Sequence, residues 1–402
     1  MRFNELRDKC ESYCRITDPV LTEIMYYGAV KSGLDTKFSV YSKRYKHIVS
    51  KWDEANWSRF KSQYIVHEIF KNKKLISSYL NHSQIKALPQ ETFSLLHALS
   101  EEEWRYTFWQ IQANPAPDFF WALDLVSLKE FLLFSPGVSA YLKTGNPKFF
   151  GGLIHPTENN CFQTFGPLVS YLSMDADDLF YFAAEVDPLL YESGQDIADI
   201  ISDELFMFLL LAAFGHIPAQ IYSGYELVFV SGEVELEDID FSALSQFFTI
   251  EYNPPIVKIV HKEYGEFPHY ANAYFHEEQQ VLYLSSMTDY GYEHLISDLE
   301  RLNLPIDAEP QVRLHLSMKM AVEEIFRKKV EMMPYEKHFV KDTDASASSS
   351  IELEKLNHFL QRLMPLLNSK KEVDIDRLID ETGAEPESAK KIYIHIRQKL
   401  GF

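Results

Sequence analysis

Seven residues between His261 and Glu278 carry side chains that can share a metal ion or move a proton: His261, Glu263, Glu266, His269, His276, Glu277 and Glu278. Imidazole nitrogens and carboxylate oxygens are the donors that zinc, manganese and nickel accept. On a strand running from Ile256 to Glu263, His261 and Glu263 face the same side, because strand side chains alternate. A neighbouring strand ending at His276 would supply a third donor. The metal candidates are therefore His261, His269 and His276, and the chemistry would be that of a metal-dependent hydrolase or nuclease. The plainer reading is that strand ends and the polar turn HEEQQ collect His and Glu without a ligand.

Other catalytic patterns are absent from the sequence. It contains no Gly-x-x-x-x-Gly-Lys phosphate loop, no G-x-S-x-G elbow and no dinucleotide-binding glycine run. His67-Glu68 and His276-Glu277 open an HExxH motif, but neither has the second His. A calcium loop counted from Asp175 would need Gly at its sixth place and Glu at its twelfth, where Phe180 and Val186 stand. Three cysteines, Cys10, Cys14 and Cys161, are too few for a disulfide framework. Cys10 and Cys14 share one face of an expected helix and read as small buried hydrophobes. No cofactor is expected.

Charge is the stronger signal. The 402 residues hold 39 Lys and Arg against 59 Asp and Glu, a net of −20. Residues 1–80 carry 15 basic and 9 acidic side chains, whereas residues 151–320 carry 5 and 28. From Phe149 to Val257 there is no Lys or Arg among 109 residues, against 18 acids. A cation-free surface sustains a negative potential that repels nucleic acid and speeds encounter with cationic partners. The residues expected to bind a basic protein partner are Asp175, Asp177, Asp178, Asp196, Asp199, Glu233, Glu235 and Glu237. The bland alternative puts Asp175, Asp177, Asp178, Asp196 and Asp199 in helix first turns, where the macrodipole favours them.

At the opposite pole, Lys31 to Leu80 holds 11 basic and 4 acidic residues, with Trp52, Trp57 and Tyr64 among Lys51, Arg59 and Lys61. Basic and aromatic residues together can bind a single strand of nucleic acid, but the same pattern suits an amphipathic helix with core aromatics. This segment can also dock on the acidic body, within the chain or between copies in self-association. In the C-terminal unit, Asp376 to Thr382, Gly383 and Pro386 to Leu400 outline a helix-turn-helix, whose DNA candidates are Lys390, Lys391 and Arg397.

The elements that must position these groups are those of an α+β protein. A helical, net basic head spans 1–115, with a capping box at Ser100 followed by a helix through Trp104, Phe108, Trp109 and Ile111. A mixed domain at 116–340 contains antiparallel hairpins, Phe119–Leu125 with Lys129–Phe134 and Phe149–His155 with Phe162–Leu172. Helices follow over Asp175–Val186 behind a cap at Ser173 and over Asp196–Phe214 behind Ser193. Strands return at Glu226–Val230, Ile256–His261, Tyr270–Phe275 and Val281–Ser285, and helices close the domain over Tyr292–Leu302 and Val312–Met332. A flexible linker at 341–350, including DASASSS, precedes a small helical tail at 351–402. The run LFMFLLLAAF is ten residues long, half of what a bilayer needs, so no membrane span is expected. The first residues, rich in Arg, Glu and Lys, lack the apolar core of a secretory signal, which points to the cytoplasm. The reading is a non-enzymatic cytoplasmic protein whose acidic surface captures a basic partner.

Overall fold

The structure, a computed structural model, describes residues 3–339 apart from 102–103, 158–159, 191–195, 238, 305 and 307–308; beyond these it describes 355, 359, 362–363, 373–386, 389–390 and 393. The protein is α+β, with two compact units, Met1–Pro334 and Tyr335–Phe402. No helix among the described residues is long and apolar enough to cross a membrane.

The first unit opens with α1 (Phe3–Tyr26), α2 (Leu34–Arg44), α3 (Lys46–Val49), α4 (Glu54–Lys71), α5 (Lys73–Leu80), α6 (Ser83–Lys86) and α7 (Gln90–Glu101). α4 begins where Asp53 accepts the Asn56 backbone N–H at 2.6 Å, and it buries Phe60, Tyr64, Ile65, Ile69 and Phe70. Of the aromatics of the basic segment, Tyr64 is therefore core, while Trp52 and Trp57 are half-buried. Tyr64 is buried, Trp52 packs 4.7 Å from Phe60, and Phe206 from the acidic stretch seats among Phe38, Tyr41, Tyr45 and Tyr64. Lys71 reaches Asp203 at 2.5 Å, so the basic segment docks on the acidic body within the chain.

The expected helix through Trp104, Phe108, Trp109 and Ile111 is instead a strand, β1 (Arg105–Ala116). Ser100 sits in the last turn of α7 and donates to the His97 carbonyl at 2.7 Å rather than capping a new helix. Aromatic and β-branched residues favour a pleated surface. Here both faces of the strand are covered, so Tyr106 to Trp109 are all buried and no period of two is visible. The head and the body thus meet inside one compact unit.

β1, β2 (Phe119–Asp124), β3 (Glu130–Phe134), β4 (Phe149–Pro156) and β5 (Cys161–Tyr171) close into a barrel of order β1-β2-β3-β5-β4, with α8 (Pro136–Leu142) between β3 and β4. The β3–β5 pair is parallel and the rest antiparallel. Both expected hairpins lie in this barrel, whose interior holds Trp109, Phe120, Leu133, Phe150 and Ile154. α1 packs against β2, β3 and β5: Leu6 and Cys10 meet Phe119, Leu132, Phe134 and Cys161, and Arg7 bonds Asp118 at 2.9 Å.

Next come α9 (Ala176–Val186), α10 (Ile197–Asp203) and α11 (Leu205–Leu210). The α9 cap is Asp175, not Ser173, and Asp178 closes a capping box; the Ser173 hydroxyl lies against the Ile217 carbonyl and Ser317 instead. The single helix expected over Asp196–Phe214 breaks at Glu204 and ends in a 3-10 turn, Leu211–Ala213. Its cap is Asp196, and Ser193 lies outside the described residues.

The second sheet follows a short hairpin, β6 (Ile221–Tyr222) and β7 (Tyr225–Glu226). It is fully antiparallel, with β8 (Val228–Glu235), β9 (Phe248–Asn253), β10 (Ile256–His261), β11 (Asn272–His276), β12 (Val281–Ser286) and β13 (Val312–His315) in the order β13-β8-β12-β11-β10-β9. α12 (Phe241–Leu244) precedes β9, and α13 (Asp289–Arg301) packs Tyr292, Leu295, Ile296 and Leu299 on one sheet face. Val312–Met332 is not one helix. Val312 to His315 pair with β8, and only Leu316–Phe326 (α14) is α-helical.

In the second unit, α15 (Ile375–Thr382) is capped by Asp374 and ends at Gly383, φ 65°, the left-handed position that favours glycine. Phe359, Leu363, Leu378, Ile379, Ala384 and Ala389 form its core. The expected linker at 341–350 lies outside the described residues.

Candidate functional site

The structure does not bring the three candidate histidines together. β10 and β11 are antiparallel with Ile256 opposite His276, so His276 lies five residues along the strand from the level of His261, about 17 Å away. His261 is also fully engaged. Its Nε2 bonds Asp298 at 3.0 Å, and its Nδ1 accepts the Glu263 and Tyr264 backbone N–H groups at 3.2 and 3.1 Å. Arg301 holds the other Asp298 oxygen at 2.6 Å. His269 bonds the Thr288 hydroxyl, which caps α13, and His276 Nδ1 accepts the Gln279 backbone N–H in the polar turn. Each imidazole fixes a turn or a helix end.

A different constellation forms where α9, β13, the β6–β7 hairpin and the approach to β4 converge. Asp178 is fully buried; one oxygen accepts the His315 backbone N–H at 2.9 Å, and the other meets His315 Nδ1 at 2.8 Å and the Asp175 N–H at 2.9 Å. His315 Nε2 faces Lys148 Nζ and Glu226 Oε1, each at 3.3 Å. Lys148 also donates to Glu226 at 2.8 Å. Arg313 bonds Asp289 through Nε and Nη2 at 2.8 and 2.9 Å, and its Nη1 reaches Asp175.

Asp175, Asp178 and His315 present donor atoms within 4.8 Å of one another, a metal-sized grouping. The donor set suits an ion poorly. Arg313 already supplies the positive charge at Asp175, and both Asp178 oxygens are engaged by N–H groups. As acid–base machinery the pair is closed as well, since His315 is buried and Lys148 with Glu226 covers its outer nitrogen. The cluster is a polar joint between the barrel and the six-stranded sheet. The sequence pattern hides it, because Arg313 and His315 run straight into the helical pattern of Leu316–Phe326; their alternation with Val312 and Leu314 is the signal for a strand. Beside it, a cleft of about 720 Å³ is lined by Asp177, Phe180, Tyr181, Glu309, Gln311 and Arg313. Burial and the neighbouring Asp175 carboxylate push the Asp177 carboxyl up.

The eight expected partner-binding acids therefore separate. Asp175 and Asp178 belong to the joint, and Asp177 lines its cleft. Asp196 caps α10 with Asp199 in the same first turn, as the macrodipole reading anticipates. Glu233, Glu235 and Glu237 lie on and just after β8, and all three are exposed. The β8–β12 register places Glu235 opposite Val281, and Gln280 bonds the Glu237 carbonyl at 3.1 Å. This brings the β11–β12 turn, with exposed Glu277 and Glu278, beside Glu235 and Glu237. None of these four carboxylates forms an ion pair among the described residues.

A smaller cavity of about 130 Å³, room for about four waters, lies where β1 outlasts its pairing with β2. Its lining includes His67, Tyr106 and Thr107, whose Nδ1, Oη and Oγ1 are buried without a hydrogen-bond partner. In the second unit Lys390 pairs with Asp376 at 2.7 Å, whereas Lys391 and Arg397 lie outside the described residues. Nothing among known protein families, curated proteins or solved structures matches this chain.

Proposed function

We propose that the chain is a non-enzymatic binding protein that captures a basic protein partner on its acidic body. The observation that carries the reading is the rim of Glu235, Glu237, Glu277 and Glu278, contributed by two separate segments, exposed and without compensating cations among the described residues. Like charges held side by side cost stability unless something outside the fold neutralises them. Complementary charge raises the encounter rate and selects partners more than it adds affinity. Polar contacts in the joint and around the histidines are spent on folding, which favours binding over catalysis.

Fluorescence anisotropy with labelled oligolysine tests the proposal. Binding is expected at low salt, weakening as the Debye length shrinks from about 30 Å at 0.01 M to about 8 Å at 0.15 M. Reversing Glu235, Glu237, Glu277 and Glu278 to Lys removes it, while Asp196→Lys with Asp199→Lys leaves it largely intact. Equal binding by the rim variant and the unmodified protein overturns the proposal.

A further inference from the structure

Away from that rim, three segments build a surface of aromatic rings. The β6–β7 hairpin turns on Ser223 and Gly224, φ 50° and 90°, a turn with both central φ values positive, and it exposes Ile221 and Tyr222. The loop after β10 contributes Tyr264, Phe267 and Tyr270, and the first turn of α13 contributes Tyr290. Tyr222 meets Phe267 edge-on at 4.4 Å; Tyr225 stands 5.0 Å from Tyr290, and Tyr264 stands 5.5 Å from Tyr290. His269 and His294 fill the gaps between them, at 4.7 Å from Tyr225 and 4.3 Å from Tyr290. Ile221 is 68% exposed, Tyr222 49%, Phe267 46%, Tyr270 38% and Tyr290 36%, so the rings form an open patch rather than a core.

Two observations on this patch point to its occupant. The exposed carboxylates on the segments that build it are Glu263 and Glu266, in the same loop as Phe267, and Glu293, three residues along α13 from Tyr290; none has an ion pair among the described residues, whereas Asp289 and Glu226, next to Tyr290 and Tyr225 in sequence, are already held by Arg313 and Lys148. The nearest cation in sequence, Lys262, is turned away, its Nζ held by the Ser245 carbonyl at 2.6 Å. Elsewhere the chain lays its own cations over its rings: Lys61 over Trp57 at 5.1 Å, Lys37 over Tyr64 at 5.8 Å, Arg7 over Phe119 at 5.7 Å. Among the described residues no Lys or Arg lies over a ring of this patch. The ring faces and the carboxylates are complementary to the same chemical group, a cation with a flat apolar surface.

We propose that this patch is the docking surface for an arginine-rich extended segment of the basic partner, with guanidinium groups stacked on Tyr222, Phe267 and Tyr290 and paired with Glu263 and Glu266. Arginine is the specific choice because its guanidinium is planar, weakly hydrated and able to stack on a ring and bond a carboxylate at once, which an ammonium does less well. The proposal rests on the reading of a basic partner and assigns its grip to a site distinct from the rim. The rim steers the encounter, and the rings hold the segment.

The test is anisotropy of a labelled nine-residue oligoarginine, with oligolysine of the same length and charge as competitor, against three forms of the full chain. Oligoarginine is expected to bind the unmodified protein about tenfold more tightly than oligolysine. Tyr222→Ala with Phe267→Ala removes that preference while the melting temperature stays unchanged, since both side chains are half exposed. The rim variant keeps the arginine preference but binds both peptides more weakly at low salt. An aromatic variant that retains the preference, or an unmodified protein that binds the two peptides equally, overturns the docking surface and leaves the basic-partner reading standing. Absence of binding by either peptide overturns both.

Discussion

Protonation of two buried imidazoles is expected to weaken the first unit on acidification. His67 is buried in α4 with Nδ1 unpartnered; burial first, then Lys71 and Lys37, holds its pKa down at about 3 against the usual 6.5, with Asp203 opposing. His155, stacked on Trp104 at 4.6 Å, is held at about 4 by burial, although the Pro156 carbonyl pulls the other way. Both values lie below the unfolded one, so below pH 6.5 the unfolded chain takes up protons that the folded chain refuses. Stability present above pH 6.5 is therefore lost as pH falls through the window toward about 4 and 3. At about 1.4 kcal/mol per unit, a drop to about pH 5 costs about 2 kcal/mol for each histidine and about 4 for the pair. That is a large share of the 5–15 kcal/mol typical of a folded domain. Carboxylate repulsion is relieved by the same acidification and acts in the opposite direction. The measurable quantity is therefore a difference: urea unfolding followed by tryptophan fluorescence, at about pH 7.5 and about pH 5, for the unmodified protein and for His67→Leu with His155→Phe. The variant is expected to lose about 4 kcal/mol less than the unmodified protein between the two conditions. Parallel losses would refute the assignment of acid sensitivity to these two rings.

Other perturbations address the joint, the close packing and the two binding surfaces. Asp178→Ala leaves the His315 backbone N–H and ring without their buried partner and is expected to cost about 3–5 kcal/mol in thermal or urea unfolding; a loss under about 1 kcal/mol would mean the joint contributes little. Gly215→Ala would put a Cβ 2.6 Å from the Ser170 carbonyl oxygen, backbone that cannot swing aside, so a loss of about 1–3 kcal/mol is expected by the same measurement. Arg7→Glu sets like charge against Asp118, and limited proteolysis should cut α1 sooner while the barrel fragment persists. In stopped-flow binding of oligoarginine, rim reversal should slow association, whereas Tyr222→Ala with Phe267→Ala should speed dissociation.

The hairpins of the barrel and the buried, charge-free run from Leu205 were legible because each shows alternation, turn residues or an apolar block of decisive length. β1 was not, since helices cover one face and the barrel interior the other, and a strand buried on both sides loses its period of two. β13 failed for another reason: four residues are too few to outweigh the helical pattern that follows in Leu316–Phe326. Barrel closure was out of reach, because the parallel pairing of β3 with β5 joins segments separated by α8 and β4. Capping acids were read correctly as a class, yet Asp175 displaced Ser173 because Asp178 stands three residues on to complete the box.

The charge imbalance shows most clearly where composition stops being informative. A cation-free stretch of 109 residues identifies which carboxylates lack a basic neighbour in sequence, but pairing is decided in space. Arg313 lies far beyond that stretch and neutralises Asp175, Lys71 crosses from the head to Asp203, and Lys148, one residue before the stretch begins, takes Glu226. What remains unneutralised is set by topology: antiparallel register puts the β11–β12 turn beside the end of β8 and gathers acids that are forty residues apart in sequence. The aromatic surface arises in the same way, from a hairpin, a loop and a helix start that no linear window contains. Exposed carboxylates without cations and exposed rings without cations are two independent shortages of positive charge, and a single basic partner would satisfy both.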